Sequence, residues 1–267
     1  GATAVRVSGD ADDVRVAWDG PAPSAEILAH LFDELVDPAP RAERRAARLL
    51  ATGVNTALGL GPRWIDVVVT DGQGAAIEVR YTPSLLETEG GASEGLRGLT
   101  ADPVLPPPSA PERGGLVHLK RLPLWDAVPL MVGYGEPREL SIVRTTCEDA
   151  KIPVFVGGTE LGIGRSHGDL FRLRLGDGLD GFLALGDPSV ASDAARLDVA
   201  ELGVVMARYS LPLAAFGEPR GRIPLRLFVD ASRMPSNASR SAVRLDESPV
   251  REALAKSEER FVELVER

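Results

Sequence analysis

The sequence predicts an α/β (α+β) protein built in two parts. Helical periodicity and strand alternation both occur within the first 124 residues, and the pattern begins anew after Pro123, where strands lie between an early helix and a closing one. With 267 residues, 44% of them hydrophobic and 26% charged, the chain is long enough for two ordinary domains. We therefore predict domains over residues 1–124 and 125–267.

Two helices are predicted near the start of the chain. Ser24 is a candidate N-cap for residues 25–36, in which apolar side chains recur at helical spacing. Two prolines end this helix, and a second helix is expected from Arg41 to Leu58, where Gly59 stops it. These segments supply the helical half of the first part.

The strands of the first part alternate apolar and polar residues. Residues 4–18 predict one hairpin, and residues 64–81 predict another around the turn Thr70-Asp-Gly-Gln-Gly74. The segment 82–113 is rich in Gly, Pro, Ser and Glu, so we expect a long mobile or extended connection there. A further strand is predicted at 115–122.

The second part is predicted to begin with a helix and to end with one. The first helix holds Leu140, Val143 and Cys147, and the last runs from Pro249 to Glu266. Between them strands are predicted at 152–156, 170–175, 181–185, 203–207 and 223–229.

Charge and composition narrow the classes of partner and compartment. A net charge of −9 disfavours nucleic acid and anionic lipid as partners, and no apolar run approaches the ~20 residues that span a bilayer. The three histidines lack metal-ligand spacing. The lone Cys147 and the absence of signal-peptide character lead us to expect a cytoplasmic protein with no membrane partner.

Four segments carry a resemblance to a known family. Ala25-Glu-Ile-x-x-x-Leu31 and the helix end Asn55-Thr-Ala57 are followed much later by Cys147-Glu-Asp-Ala-Lys-Ile-Pro-Val154. The most specific segment is Val229-Asp-Ala-Ser-Arg-Met-Pro-Ser-Asn-Ala-Ser-Arg240. In order and spacing they resemble the ninety-kilodalton heat-shock chaperone family. That resemblance implies a GHKL-like two-layer α/β sandwich, which in the family holds ATP between sheet and helices, followed by a second α/β domain of the chaperone-middle or transducer type.

The residues that would serve ATP in that family are largely replaced. Its catalytic glutamate, four residues before the asparagine, corresponds to Ala51, which cannot act as a general base. The next acid corresponds to Leu58, and the adenine-binding aspartate falls in Tyr81-Thr-Pro-Ser84. Two of that family's ligands keep a counterpart in this sequence. The resemblance implies that Asn55 would bind Mg²⁺ and the nucleotide, and that Arg240 would bind the γ-phosphate.

These losses predict a chaperone-like scaffold, a pseudo-ATPase that binds a client or partner protein. We expect no catalytic residue and no cofactor, with ATP and Mg²⁺ bound only if the site keeps residual activity. One alternative is a divergent ATP-dependent chaperone in which Glu34, Glu43 or Glu78 replaces the lost acid. Another is a regulatory or defence-system component whose effector lies outside this chain. A homodimer or a larger assembly fits each of these hypotheses.

Overall fold

The protein divides into two compact units, and each unit is made of two separate segments of the chain. Unit 1 comprises Gly1–Ile142 and Ile152–Glu160, and unit 2 comprises Val143–Lys151 and Leu161–Arg267. The computed structural model describes residues 2–10, 13–36, 44–86, 99–120, 137–162, 168–176, 178–186, 195–211, 224–230 and 248–266. Each unit combines a sheet with helices, which confirms the predicted α+β class. The domain boundary predicted after residue 124 lies outside the described residues.

Unit 1 is organised around a mixed sheet. Its strands are β1 (Val5–Gly9), β2 (Asp13–Asp19), β3 (Trp64–Asp71), β4 (Ala76–Tyr81), β5 (Asp102–Val104), β6 (Arg113–Lys120), β7 (Val154–Val156) and β8 (Thr159–Glu160). Among the described residues the strand order is β5-β4-β3-β6-β2-β1-β7-β8. Both predicted hairpins, β1–β2 and β3–β4, are confirmed. The only parallel pair in this order joins β1 to β7, which places residues 152–160 in unit 1 although the sequence assigned them to the second part.

The helices of unit 1 are α1 (Ala25–Ala29), α2 (Asp33–Val36) and α3 (Arg45–Leu58). Ser24 caps α1 as predicted, because its hydroxyl accepts a hydrogen bond from the Ile27 N–H at 3.3 Å. The predicted single helix over 25–36 is wrong, since it breaks between α1 and α2. Near the break the Leu28 carbonyl accepts the Tyr81 hydroxyl at 2.6 Å and the Leu31 N–H, three residues on, at 3.3 Å.

The connection predicted over residues 82–113 contains regular structure in the part that is described. Residues Pro83–Leu86 form a 3-10 turn, and β5 pairs antiparallel with β4. The connection is extended at β5, which agrees with one of the two predicted alternatives, but the pairing of β5 with the sheet and the 3-10 turn were not predicted. The short β5 was missed because Pro103 sits at its centre, and proline in a strand is typical of a sheet edge.

Unit 2 contains a sheet with a helix on one face. Its strands are β9 (Asp169–Gly176), β10 (Leu179–Gly186), β11 (Arg196–Glu201), β12 (Val204–Ser210) and β13 (Leu225–Asp230), in the order β12-β11-β13-β10-β9 among the described residues. Helix α4 (Arg138–Thr146) contributes residues to both units. The closing helix α5 (Ser248–Val265) packs Val250, Ala253 and Leu264 into an apolar core with the sheet.

Candidate functional site

The position of the family's catalytic glutamate lies in a filled apolar core. Helix α3 turns Ala51, Val54 and Leu58 toward the sheet, where each is at most 2% exposed. They share one cluster with Ile65 and Val79 of the sheet strands β3 and β4. The helix–sheet interface, where the resemblance would put a nucleotide, is thus occupied by side chains of the protein itself.

Tyr81 is also part of this core. Its side chain is fully buried, its ring meets Phe32 edge-on at 5.6 Å, and its hydroxyl donates to the Leu28 carbonyl. Burial raises the pKa of Tyr81 above its ordinary value, so the hydroxyl stays protonated. A ring and hydroxyl engaged in this way are not presented to an adenine.

The two residues predicted to bind cofactor or metal are not brought together by any described contact. Asn55 lies half-buried on α3 beside the apolar stripe, four residues after Ala51. Arg240 lies outside the described residues, as does Glu43. No group of three or more histidine, cysteine or acidic residues suited to holding a metal occurs within the described ranges. Asn55 therefore remains a predicted ligand without a described partner acid.

The other two candidate replacement acids are directed away from Asn55. Glu34 is buried and pairs with Arg44 at 3.3 Å, just before α3 begins. Arg44 and Asn55 are eleven residues apart, which is about 16 Å along a helix axis. Glu78 alternates with the core residue Val79 on β4, so it lies on the sheet face opposite the helices.

The most elaborate polar arrangement lies in unit 2, on the sheet face opposite α5. Alternation along the strands gives each strand an apolar side, which joins the core with α5, and a second side that carries charge. That second side carries Arg172 and Arg174 of β9, Phe182 of β10, Arg196 and Asp198 of β11, Arg208 of β12, and Arg226, Phe228 and Asp230 of β13.

Arg226 lies at the centre of this face and is only 3% exposed. Its Nε donates to Asp198 at 2.7 Å, and its Nη2 donates to Asp149 at 2.5 Å. Its Nη1 lies 3.3 Å from Asp169. Burial alone would lower the pKa of Arg226, but the carboxylates of Asp149 and Asp198 outweigh that effect and raise it. One guanidinium thus bridges three carboxylates from distant parts of the sequence.

Further arginines complete this ionic cluster. Arg172 donates to Asp149 and Asp169 at 2.9 Å each, and its guanidinium lies 4.4 Å from the centre of the Phe182 ring. Arg196 and Arg208 approach Asp198 at 3.3 and 3.4 Å. Burial lowers the pKa of Arg196.

A cleft with a volume of about 310 Å³ opens beside the cluster, within unit 2. Lys151 lies on its wall and pairs with Asp180 at 2.6 Å and with Asp230 at 3.0 Å. These contacts raise the pKa of Lys151, so it stays charged. Asp230 also accepts the N–H groups of Leu202 and Gly203, at 3.1 and 2.9 Å.

Gly203 is required where the cleft meets the β11–β12 turn. Its φ of +84° favours glycine, and a Cβ there would lie 2.3 Å from the Asp149 carbonyl oxygen. The segment around Asp149 and Lys151 can therefore lie directly against the turn. Any side chain at 203 would push this wall of the cleft outward.

The cleft is also lined by two aromatic rings and by one arginine that has no partner among the described residues. Phe182 and Phe228 stack with centroids 4.9 Å apart and planes 8° from parallel. Arg174 faces Phe182 in the β9–β10 register and is exposed. Every carboxylate that lines the cleft has a described cationic partner, whereas Arg174 has no ion-pair or hydrogen-bond partner among the described residues.

The charged face of the unit 2 sheet was not predicted from the sequence, although one residue indicated it. Arg226 interrupts the apolar strand Leu225–Asp230, every residue of which is buried. A buried arginine requires carboxylates, yet its partners Asp149, Asp169 and Asp198 lie 77, 57 and 28 residues away. Val229 and Asp230 begin the segment that carries the strongest family resemblance, and the rest of that segment lies outside the described residues.

Comparison with known proteins leaves the family open. No protein-family model matches the chain, and no curated protein sequence matches it. A crystal structure of the N-terminal domain of a DNA repair protein aligns with 98% of this chain and 90% of its own, at 12% identity and a TM-score of 0.47. Similarity at that level supports no conclusion about function. No helix within the described ranges is long and apolar enough to cross a membrane.

Proposed function

We propose that this protein is a chaperone-like scaffold that binds a client or partner protein and does not turn over ATP. The observation that carries the proposal is the filled interface between α3 and the sheet of unit 1, where Ala51, Leu58 and Tyr81 are core residues. The resemblance supplies the chaperone class, and the packing of the core argues against a nucleotide at the family's position. Without a general base at residue 51, hydrolysis would also lose about 10²–10⁴ in rate.

The same geometry weighs against the alternative of a divergent ATPase. Glu34 is engaged by Arg44 before the start of α3, and Glu78 lies on the far face of the sheet. Neither is placed to activate water beside Asn55. The hypothesis of a regulatory component gains no specific support from the described residues.

Exposed apolar side chains on unit 2 are consistent with protein binding. β9 forms one edge of the sheet among the described residues and exposes two apolar residues that are consecutive in the sequence, Leu170 and Phe171, at 56% and 50%. Neighbouring apolar side chains at a sheet edge can contact an extended segment of a client. Val262 on α5 is exposed to a similar degree, 58%, but belongs to another element.

We expect the protein to suppress aggregation of a thermally unfolded model enzyme, such as citrate synthase, and Mg·ATP to leave the suppression unchanged. The measurement is light scattering at equimolar protein. Replacing both Leu170 and Phe171 with serine should weaken suppression, whereas Val262→Ser, the matched control, should not. Absence of suppression, or suppression that depends on ATP, would contradict the proposed function.

A further inference from the structure

We propose that the cleft of unit 2 binds an acidic side chain of a partner protein, with Arg174 as the principal ligand. This inference rests on the proposed function, because it assigns a partner chemistry to a protein-binding scaffold. It depends on three features of the cleft: the state of its charges, the freedom of Arg174 and the size of the space.

The cleft is lined by three acidic and three basic side chains, whose charges sum to zero but which are not all paired. Asp149 is bonded to Arg172 and Arg226, so its negative charge is compensated within the sheet. Lys151 pairs with both Asp180 and Asp230, so these three side chains together keep one negative charge. Arg174 is the lining cation that has no ion-pair or hydrogen-bond partner among the described residues, so its guanidinium is open to an anionic group.

Arg174 has both the freedom and the geometry to bind such a group. Arg172, two residues earlier on the same face, is held by Asp149 and Asp169 and stacked on Phe182. Arg174 is exposed and carries no such contacts among the described residues. A guanidinium presents two parallel N–H groups to a carboxylate, which favours a bidentate ion pair over a contact with a neutral amide.

The size of the cleft suits one side chain rather than a large ligand. Its volume, about 310 Å³, lies at the lower end of the range for small-molecule sites. Phe182, Phe228 and Leu179 add apolar surface to the lining. A glutamate or aspartate could place its methylene carbons on this surface while its carboxylate reaches Arg174.

The test is fluorescence anisotropy with two labelled synthetic peptides, one rich in Glu and Asp and one in which every acid is replaced by its amide. We expect the acidic peptide to bind more tightly than the amide peptide, and the binding to weaken as salt is raised. Arg174→Glu should weaken binding of the acidic peptide about tenfold or more, the scale of a charged hydrogen bond. Arg174→Lys should lose less, because it keeps the charge without the planar fork.

The matched control is Arg251→Glu, which makes the same charge change in the same unit. Arg251 is exposed on α5, on the opposite side of the sheet, so its substitution should leave the affinity unchanged. Circular dichroism would establish that each variant is folded.

Several outcomes would overturn the assignment. These are equal binding of the amide peptide, equal losses in the Arg174→Glu and Arg251→Glu variants, or no binding of the acidic peptide by the wild-type protein. Displacement of the peptide by inorganic phosphate at equal concentration, or tighter binding of a single-stranded oligonucleotide, would identify a general anion site instead. If the protein suppresses client aggregation but does not bind the acidic peptide, only the assignment of the cleft is refuted. If it binds the peptide but does not suppress aggregation, only the proposed function is refuted.

Discussion

Replacing Arg226 with methionine is expected to destabilise unit 2 by about 3–5 kcal/mol, the usual cost of removing one partner from a buried ionic group. The substitution keeps most of the side-chain volume but leaves Asp149, Asp169 and Asp198 without their shared cation, and each of the three is largely buried. Arg226→Lys should also be strongly destabilising, because one ammonium group cannot reproduce three separately directed contacts.

Urea unfolding followed by circular dichroism measures this loss, and hydrogen exchange of β9–β13 assigns it to unit 2. Arg251→Met, at an exposed position on α5, is the control and should stay within about 0.5 kcal/mol of wild type. A loss below about 1 kcal/mol for Arg226→Met would mean that the ionic cluster is not a major source of stability.

Placing a glutamate at Ala51, where the resembled chaperone family has its catalytic acid, is expected to damage the fold rather than to create an ATPase. Ala51 is fully buried against the sheet, and a carboxylate there would be removed from water without a described cation in its core cluster. The expected loss is several kcal/mol of unfolding free energy, enough to unfold a marginally stable unit. Ala51→Glu should therefore show an early unfolding transition and no phosphate release.

Ala46→Glu separates the effect of burial from the effect of the substitution. It makes the same chemical change on the same helix, but at an exposed position in the first turn, where an acid is favourable. Its stability should match or slightly exceed that of wild type, measured by thermal unfolding. If Ala51→Glu were as stable as Ala46→Glu, position 51 would border a cavity large enough for a carboxylate, and the filled-core account would be wrong.

The local elements were largely predictable because their signals are local. Alternating residues and a turn with Gly72 and Gly74 at positive φ specify the β3–β4 hairpin. Ser24 marked the start of α1, and the closing helix was predicted within about one residue. The break between α1 and α2 was not predicted; the Leu28 carbonyl beside it accepts the hydroxyl of Tyr81, 53 residues away, a contact that no local pattern indicates.

The arrangement of strands and the ionic cleft depend on contacts that the sequence pattern does not contain. The parallel pairing of Val5 with Val154 joins residues nearly 150 positions apart. The β11 strand was missed even though Leu197 and Val199 alternate with polar and small residues, so that signal was present but unused. The partners of Arg226 come from three separate segments, and only the fold brings them together.

The most direct test of the central claim is calorimetric titration of the intact protein with Mg·ATP, followed by a phosphate-release assay on the same sample. We predict no binding heat beyond dilution and no phosphate release, because Ala51, Leu58 and Tyr81 fill the interface at which the resembled family binds its nucleotide. Micromolar binding without turnover would show that a nucleotide site has survived, with Asn55 as its candidate ligand. Binding with turnover would contradict the account and identify the protein as an active ATPase.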